Sequence, residues 1–270
     1  PHAVRPAPAP LDPARPPRAA APRAGPPPRA GPRLRVGSTA SRALAGWLRR
    51  LRHRLPGTDI SLHMDVSPSA LLRMVAAGQL DVAFVHEVEG CPLAVPDGLA
   101  RRVLVEREPQ FVSMARDHPA AARQVVELAD LAGDRWMVDP TVDGEWDGLR
   151  RVLGAAGLNP RVLHGDYLTA ASLIAVGEAV APCQPTSGPR DDMVIRPLRD
   201  DPLAVRLLLF SRFSPVDGAI GLGGAPGERA LEAAVFADLE AAYREAALRA
   251  VDYRRWLTRH KSPLLHAPAA

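Results

Sequence analysis

The stretch from residue 34 to residue 85 constrains the fold most, because its apolar residues switch repeatedly between strand and helix periodicity. In chain order they predict a strand at 34–37, a helix at 43–55, a strand at 59–66, a helix at 71–76 and a strand at 80–85. The last strand is almost wholly apolar, which is typical of a strand buried on both faces of a parallel sheet. The alternation therefore predicts an α/β fold with right-handed crossovers.

A second, smaller α/β pattern follows. It predicts strands at 136–138 and 161–164 and helices at 149–156 and 169–176. A further apolar strand at 205–210 could return to the first sheet. We therefore predict two Rossmann-like lobes with a central ligand cleft: lobe I at 34–105 and 198–245, lobe II at 106–197, and a C-terminal helical extension at 246–270.

The segment before the first strand differs in composition. Residues 1–32 hold 12 of the 29 prolines, and each proline removes a backbone donor and fixes φ. We predict a disordered Pro/Arg-rich linker at 1–33. The alternative is a binding site for a proline-recognising partner or for nucleic acid. The net charge of +4 divides into +5 on residues 1–33 and −1 on the remainder, so the predicted fold is nearly neutral and does not indicate a nucleic-acid surface.

The pattern of apolar residues favours neither a membrane protein nor a secreted protein. Charged residues interrupt every apolar run before it reaches the roughly 18 to 20 residues of a membrane span. The first thirty residues lack the apolar segment of a signal peptide, so we expect a cytoplasmic protein. Cys91 and Cys183 stand far apart without nearby ligands for zinc, and we expect both to be reduced and structural.

Motifs for catalysis are missing from the sequence. No nucleophile elbow, Walker loop, zinc-protease motif or dinucleotide fingerprint occurs, and the glycine-rich residues 221–227 are read as a flexible loop. Asp139, Asp143, Glu145 and Asp147 could bind a divalent cation, but their spacing favours a solvated loop. We predict no enzymatic activity, no cofactor and no metal.

Four segments in order resemble the effector-binding domain of LysR-type transcriptional regulators, which is similar to type 2 periplasmic binding proteins. The resemblance covers roughly residues 34–245. It is carried by LRVGSTASRALAGWLRRLRHRLPGTDISL, SALLRMVAAGQLDVAFV, DHPAAARQVVELADLAGDRWMV and LRRVLGAAGLNPRVLHGDYLTAASLIAVGEAVAPCQP. Three features depart from the family pattern: the proline-rich stretch where a winged helix-turn-helix usually precedes, Glu178 in place of a second glycine, and the residues after 245.

The resemblance implies that a ligand sits between the lobes, near helix N-termini whose N–H groups favour carboxylate or phosphate. The residues it implies at these termini, as ligand contacts or ordinary helix caps, are Ser38, Thr39, Ser67, Ser69, Pro140, Thr141, Asp166 and Thr169. Among them we expect contacts above all from Thr39 and Thr141, and we expect Ser38 or Thr39 to cap the first helix.

Two more side chains are candidates for the site. His86 ends an apolar parallel strand, where open α/β sheets place ligands, and it could pair with an anionic effector or sense pH. The alternative is a surface or internally satisfied histidine. Trp146 stands among acidic residues and could cover an aromatic or cationic ligand, whereas Trp136 is expected in the core.

The sequence thus predicts a domain that senses a small molecule, anionic or aromatic, and works as a homodimer or homotetramer. DNA would be contacted only through a winged helix-turn-helix that these residues do not contain. The alternative is a stand-alone solute-binding or regulatory module that never touches DNA.

Overall fold

The computed structural model describes residues 32–188, 190–212 and 226–265, without the side chains of 226–229. The predicted linker lies almost entirely outside these residues, as does most of the glycine-rich stretch 221–227. The strands are β1 (Arg33–Ser38), β2 (Asp59–Met64), β3 (Val82–Val88), β4 (Ala100–Pro109), β5 (Phe111–Ala115), β6 (Arg135–Val138), β7 (Arg161–His164), β8 (Ala181–Cys183), β9 (Met193–Pro197) and β10 (Ala204–Ser211). The α-helices are α1 (Leu44–Arg54), α2 (Pro68–Ala76), α3 (Glu145–Ala155), α4 (Tyr167–Ala175), α5 (Pro226–Arg249) and α6 (Val251–Arg259).

One sheet contains five strands in the order β2-β1-β3-β10-β4. Strands β1, β2 and β3 run parallel, with Val36 paired to both Leu62 and Val82. Strand β10 runs antiparallel between β3 and β4. We call this sheet, with α1, α2 and α5, lobe I. The βαβαβ order predicted for residues 34–85 is confirmed.

The remaining strands form a three-stranded sheet, β8-β5-β9, and a parallel pair, β6-β7. With α3 and α4 they make up what we call lobe II. The chain crosses between the lobes from β4 to β5 and again from β9 to β10. The α/β class expected from the sequence is therefore confirmed, although the exact lobe boundaries stay a prediction.

The core of lobe I has a layer on each face of the sheet. On one face Trp47, fully buried, packs against Phe84 and donates from Nε1 to the carbonyl of Val235 in α5. On the other face α2 packs Leu71 and Leu72 against the sheet. Helix α5 runs without a break past residue 245, where the C-terminal extension was expected to begin. The described residues include no helix with both the length and the apolar character needed to span a bilayer.

Two helix starts differ from the expectation. Helix α1 begins at Leu44, with no side-chain cap from Ser38 or Thr39, because β1 extends to Ser38 and the Thr39 amide donates to the carbonyl of Phe84. Helix α3 begins at Glu145 instead of Leu149. It follows Gly144, whose φ of +77° favours glycine and where a Cβ would lie 2.6 Å from that of Cys91.

Helix α6 packs over a buried cluster of polar side chains. Tyr253 of α6 packs edge-on against Phe111, and its hydroxyl hydrogen-bonds that of Tyr243 at 3.1 Å. The Tyr243 hydroxyl donates to Oε1 of Glu108 in β4, whose Oε2 has no partner within the described part of the chain. Burial raises the pKa of the Glu108 carboxyl to about 7.

We predict that Glu108 makes the protein less stable as the pH rises. In the unfolded chain this carboxyl ionises near its ordinary pKa of 4.5, whereas the folded protein keeps the proton to about pH 7. The free energy of unfolding should therefore fall through this window, by a contribution on the order of 2 kcal/mol from this group. Urea unfolding of Glu108→Gln should show a smaller fall, and Glu106→Gln, an exposed position of the same strand, should match the wild type. A Glu108→Gln curve parallel to the wild type would refute the assignment.

Candidate functional site

A cavity of about 590 Å³ lies between the two lobes and draws its walls from both. Most of its lining is apolar, and its larger apolar side chains include Met64, Leu149, Ile174, Met193, Ile195 and Leu203. A volume in this range accommodates a small organic molecule. Its few polar groups therefore decide what such a molecule must look like.

One polar group is the carboxyl of Glu145, the first residue of α3. The residue is only 9% exposed. The hydroxyl of Tyr167, the first residue of α4, donates to Oε1 at 2.5 Å, and Oε2 has no hydrogen-bond partner among the described residues. The Tyr167 ring is partly exposed although its hydroxyl turns inward. Burial raises the pKa of the Glu145 carboxyl to about 7, so this group exchanges its proton near neutral pH.

A second polar group is the imidazole of His86 near the end of β3. The Gln184 side-chain amide, which follows β8 in lobe II, approaches Nε2 at 3.4 Å and donates to the carbonyl of Ala40. Since an amide nitrogen only donates, Nε2 accepts and Nδ1 carries the proton toward Thr39 Oγ1 at 3.0 Å. Burial lowers the pKa of His86 to about 4, so the ring is neutral at pH 7 and offers an anion no charge.

The N-terminus of α2 already holds a carboxylate of the protein. Asp143, in the loop before α3, accepts from the Ser69 amide at 2.8 Å and from the Ser67 hydroxyl at 2.9 Å, both through Oδ2. The Ser67 hydroxyl in turn caps α2 by accepting from the Ala70 amide. A helix N-terminus attracts negative charge, so a lobe II side chain occupies the place where the sequence predicts an effector contact.

Beside this contact α3 lies directly against lobe I. A Cβ on Gly148 would be 2.5 Å from Cγ1 of Val88, so only glycine permits this spacing. One turn later Arg151 donates to the carbonyl of Glu89. These contacts, together with those of Asp143 and Gln184, close the lobes around the cavity.

The remaining ionisable groups on the lining are a thiol and two guanidinium groups. Burial raises the pKa of the Cys183 thiol to about 12, so it stays protonated. Arg190 pairs with Asp192 at 3.0 Å, and Arg42 lies against Gly188. Arg42, in the segment before α1, and Arg190, in the segment before β9, therefore place positive charge on the same cavity lining as Glu145.

The structure brings two of the predicted site residues, Thr39 and His86, to the cavity lining. Seven of the others contact residues of the protein itself, and Pro140 is exposed. The contacts are those of Ser67 and Ser69 with Asp143, Ser38 with the Thr39 carbonyl, Thr141 with Asp139, Asp166 with the Leu168 and Thr169 amides, and Trp146 with His164. As ligand contacts all ten stay predictions. Reasoning from sequence missed Tyr167, Cys183 and Gln184, which carried no local signal beyond their residue type.

Only part of the acidic cluster is solvated as its spacing favours, because Asp147 is exposed but two other members are not. Asp139 and Glu145 are buried, and Asp139 accepts from both the amide and the hydroxyl of Thr141. Across the described ranges, no group of three or more His, Cys, Asp and Glu side chains is placed to hold a metal ion.

The amino-acid sequence matches a known protein family and known relatives. Residues 29–214 match the family described as LysR substrate binding domain. The chain is 66% identical over 224 residues to the small neutral protease regulatory protein of Streptomyces coelicolor, covering 83% of this chain and 66% of the relative. It spans 60–66% of the length of the curated relatives it matches.

Solved structures share the fold. A mutant of OxyR from Corynebacterium glutamicum has a TM-score of 0.64 at 21% identity, covering 81% of this chain and 66% of that one. Full-length CbnR, solved with its target DNA, has a TM-score of 0.57 at 17% identity, covering 80% and 70%.

We predict that the Asp143 contact stabilises the fold. Asp143→Ala removes two hydrogen bonds at the α2 N-terminus and should lower the free energy of unfolding by about 1–2 kcal/mol in urea titrations. Asp147→Ala is the matched control, because Asp147 is exposed and pairs with the exposed Arg150 on the same helix, and its effect should stay within about 0.5 kcal/mol. Equal losses in the two variants would count against the interlobe contact.

Proposed function

Because this chain belongs to the family of LysR substrate-binding domains, we propose that it is the small-molecule-sensing part of a transcriptional regulator, with its effector in the cavity between the lobes. The observation that carries the proposal is the cavity itself, about 590 Å³ and lined from both lobes. A ligand that touches both lobes stabilises the closed arrangement relative to any open one. That difference is what a sensor needs in order to transmit binding.

The names and lengths of its relatives support what we propose for the rest of the regulator. Those proteins are named as regulatory, and they are longer than this chain. We propose that the full regulator carries a DNA-binding module beyond this domain, assembles as a homodimer or homotetramer and acts in the cytoplasm. Effector binding would change how the sensing domains pair and so how the DNA-binding modules are presented.

Filling the cavity should abolish ligand binding. Ala171 of α4 lines the cavity, and Ala171→Phe places a ring inside it. The neutral dye N-phenylnaphthylamine, which fluoresces in apolar surroundings, should bind the full wild-type chain at one saturable site. We expect Ala171→Phe to weaken this binding at least about tenfold.

Ala155→Phe makes the same substitution on the exposed end of α3 and should bind the dye like the wild type. Unchanged binding by Ala171→Phe would place the dye elsewhere and contradict a ligand site between the lobes.

A further inference from the structure

The carboxyl of Glu145 has one oxygen that the fold does not satisfy. Tyr167 holds Oε1, whereas Oε2 is buried at the cavity without a hydrogen-bond partner among the described residues. A buried polar atom in this situation costs stability. The same carboxyl in solvent, on the outer face of α3, would carry no such cost. A partner for Oε2 is therefore what this position lacks, and the cavity is where a ligand would bring it.

The charges around Glu145 determine which partner fits. Asp139 and Asp143 belong to the loop before α3. Burial is the main cause of the raised pKa of Glu145; the Asp139 carboxylate adds to it, whereas the Asp139 backbone amide and the Tyr167 hydroxyl lower it. The anion-binding end of α2 is taken by Asp143. Arg42 and Arg190 also line the cavity, but among the described residues neither forms a hydrogen bond or ion pair with Glu145. An effector carboxylate placed directly beside the ionised Glu145 would meet like charge without a free helix terminus, whereas a cation would stabilise the ionised carboxylate.

We infer that the cavity selects a ligand with an apolar body and a protonated amine, and that the amine donates a hydrogen bond to Oε2 of Glu145. This inference rests on the proposed function. It departs from the anionic effector expected from the sequence. The body of the ligand contacts the apolar walls, and Tyr167 acts as a positioning residue that holds the carboxyl toward the cavity.

Proton release should accompany binding of the amine. The cation favours the ionised form of Glu145, whose pKa burial raises to about 7, so affinity should rise from about pH 6 to about pH 8 as the group gives up its proton. The other titratable or charged groups on the cavity lining or beside Glu145 are Tyr167, Asp139, Asp143, Cys183, His86, Arg42 and Arg190. Burial lowers the pKa of His86 to about 4, so it stays neutral in this range. Burial raises the pKa of Tyr167 and Cys183, so neither ionises in this range.

Three probes with one body test the inference. Phenylbutylamine, phenylbutanol and phenylbutyrate share a phenyl ring on a four-carbon chain and end in different polar groups, and each is titrated calorimetrically into the full chain. We expect the amine to bind at least about tenfold more tightly than the carboxylate, and Glu145→Gln to weaken the amine by about tenfold or more. The wild-type affinity for the amine should rise with pH, and this rise should vanish in Glu145→Gln.

Two controls keep a folding defect apart from a lost contact. Glu145→Gln should bind phenylbutanol within about threefold of the wild type, because the apolar walls are unchanged. Glu178→Gln, at an exposed carboxylate paired with Arg135, should leave all three affinities as they are.

The outcomes separate the ligand class from the sensing role. If phenylbutanol or phenylbutyrate binds at least as tightly as the amine, or if Glu145→Gln keeps the amine affinity, the inference is wrong while the cavity still receives ligands. If none of the three binds and Ala171→Phe leaves dye binding unchanged, the proposed function fails and the inference fails with it.

Discussion

The carboxylate of Asp143 on the N-terminus of α2 is the contact on which the arrangement of the two lobes depends. It satisfies the Ser69 amide and the Ser67 hydroxyl of lobe I from a loop of lobe II. Because α3 begins two residues later, the same contact fixes this helix against β3, where Gly148 allows the close approach. Without that arrangement the residues of the two lobes would not face a common cavity.

The two sides of the molecule then have different roles. On the cavity side, hydrogen bonds to neighbouring residues hold Glu145, Tyr167 and His86. Few of their polar atoms are therefore available to bind a ligand. On the opposite side α6 contacts both lobes. In lobe II, Tyr253 packs on Phe111 at the start of β5 and Asp252 pairs with Arg196 of β9 at 3.6 Å. In lobe I, the Tyr253 hydroxyl hydrogen-bonds that of Tyr243 in α5. Helix α6 therefore contacts residues next to both crossings between the lobes. The family match ends at residue 214, so these contacts come from the helices that follow it.

Much of the fold could be predicted from the sequence, because periodicity and breakers act locally. The apolar strand β3 and the end of α2 at Ala76, both predicted from the sequence, needed no tertiary information. The start of α3 was missed because Gly144 adopts its left-handed turn against Cys91, which is distant in sequence. Ser67 was predicted at a helix start that would contact an effector anion, whereas in the structure its hydroxyl contacts a carboxylate of the protein 76 residues away. The burial of Glu145 likewise depends on how lobe II packs, and its sequence neighbours are acidic and suggest solvent instead.

Amide hydrogen exchange of Ser69 tests the closed arrangement most directly. The first amides of a helix have no intrahelical acceptor, so this amide is protected only if the Asp143 carboxylate of the other lobe holds it. We expect slow exchange in the wild-type chain and exchange near the rate of an unstructured peptide in Asp143→Ala, with protection of the α2 interior unchanged. Fast exchange of Ser69 in the wild-type chain would contradict the closed arrangement and the cavity that depends on it.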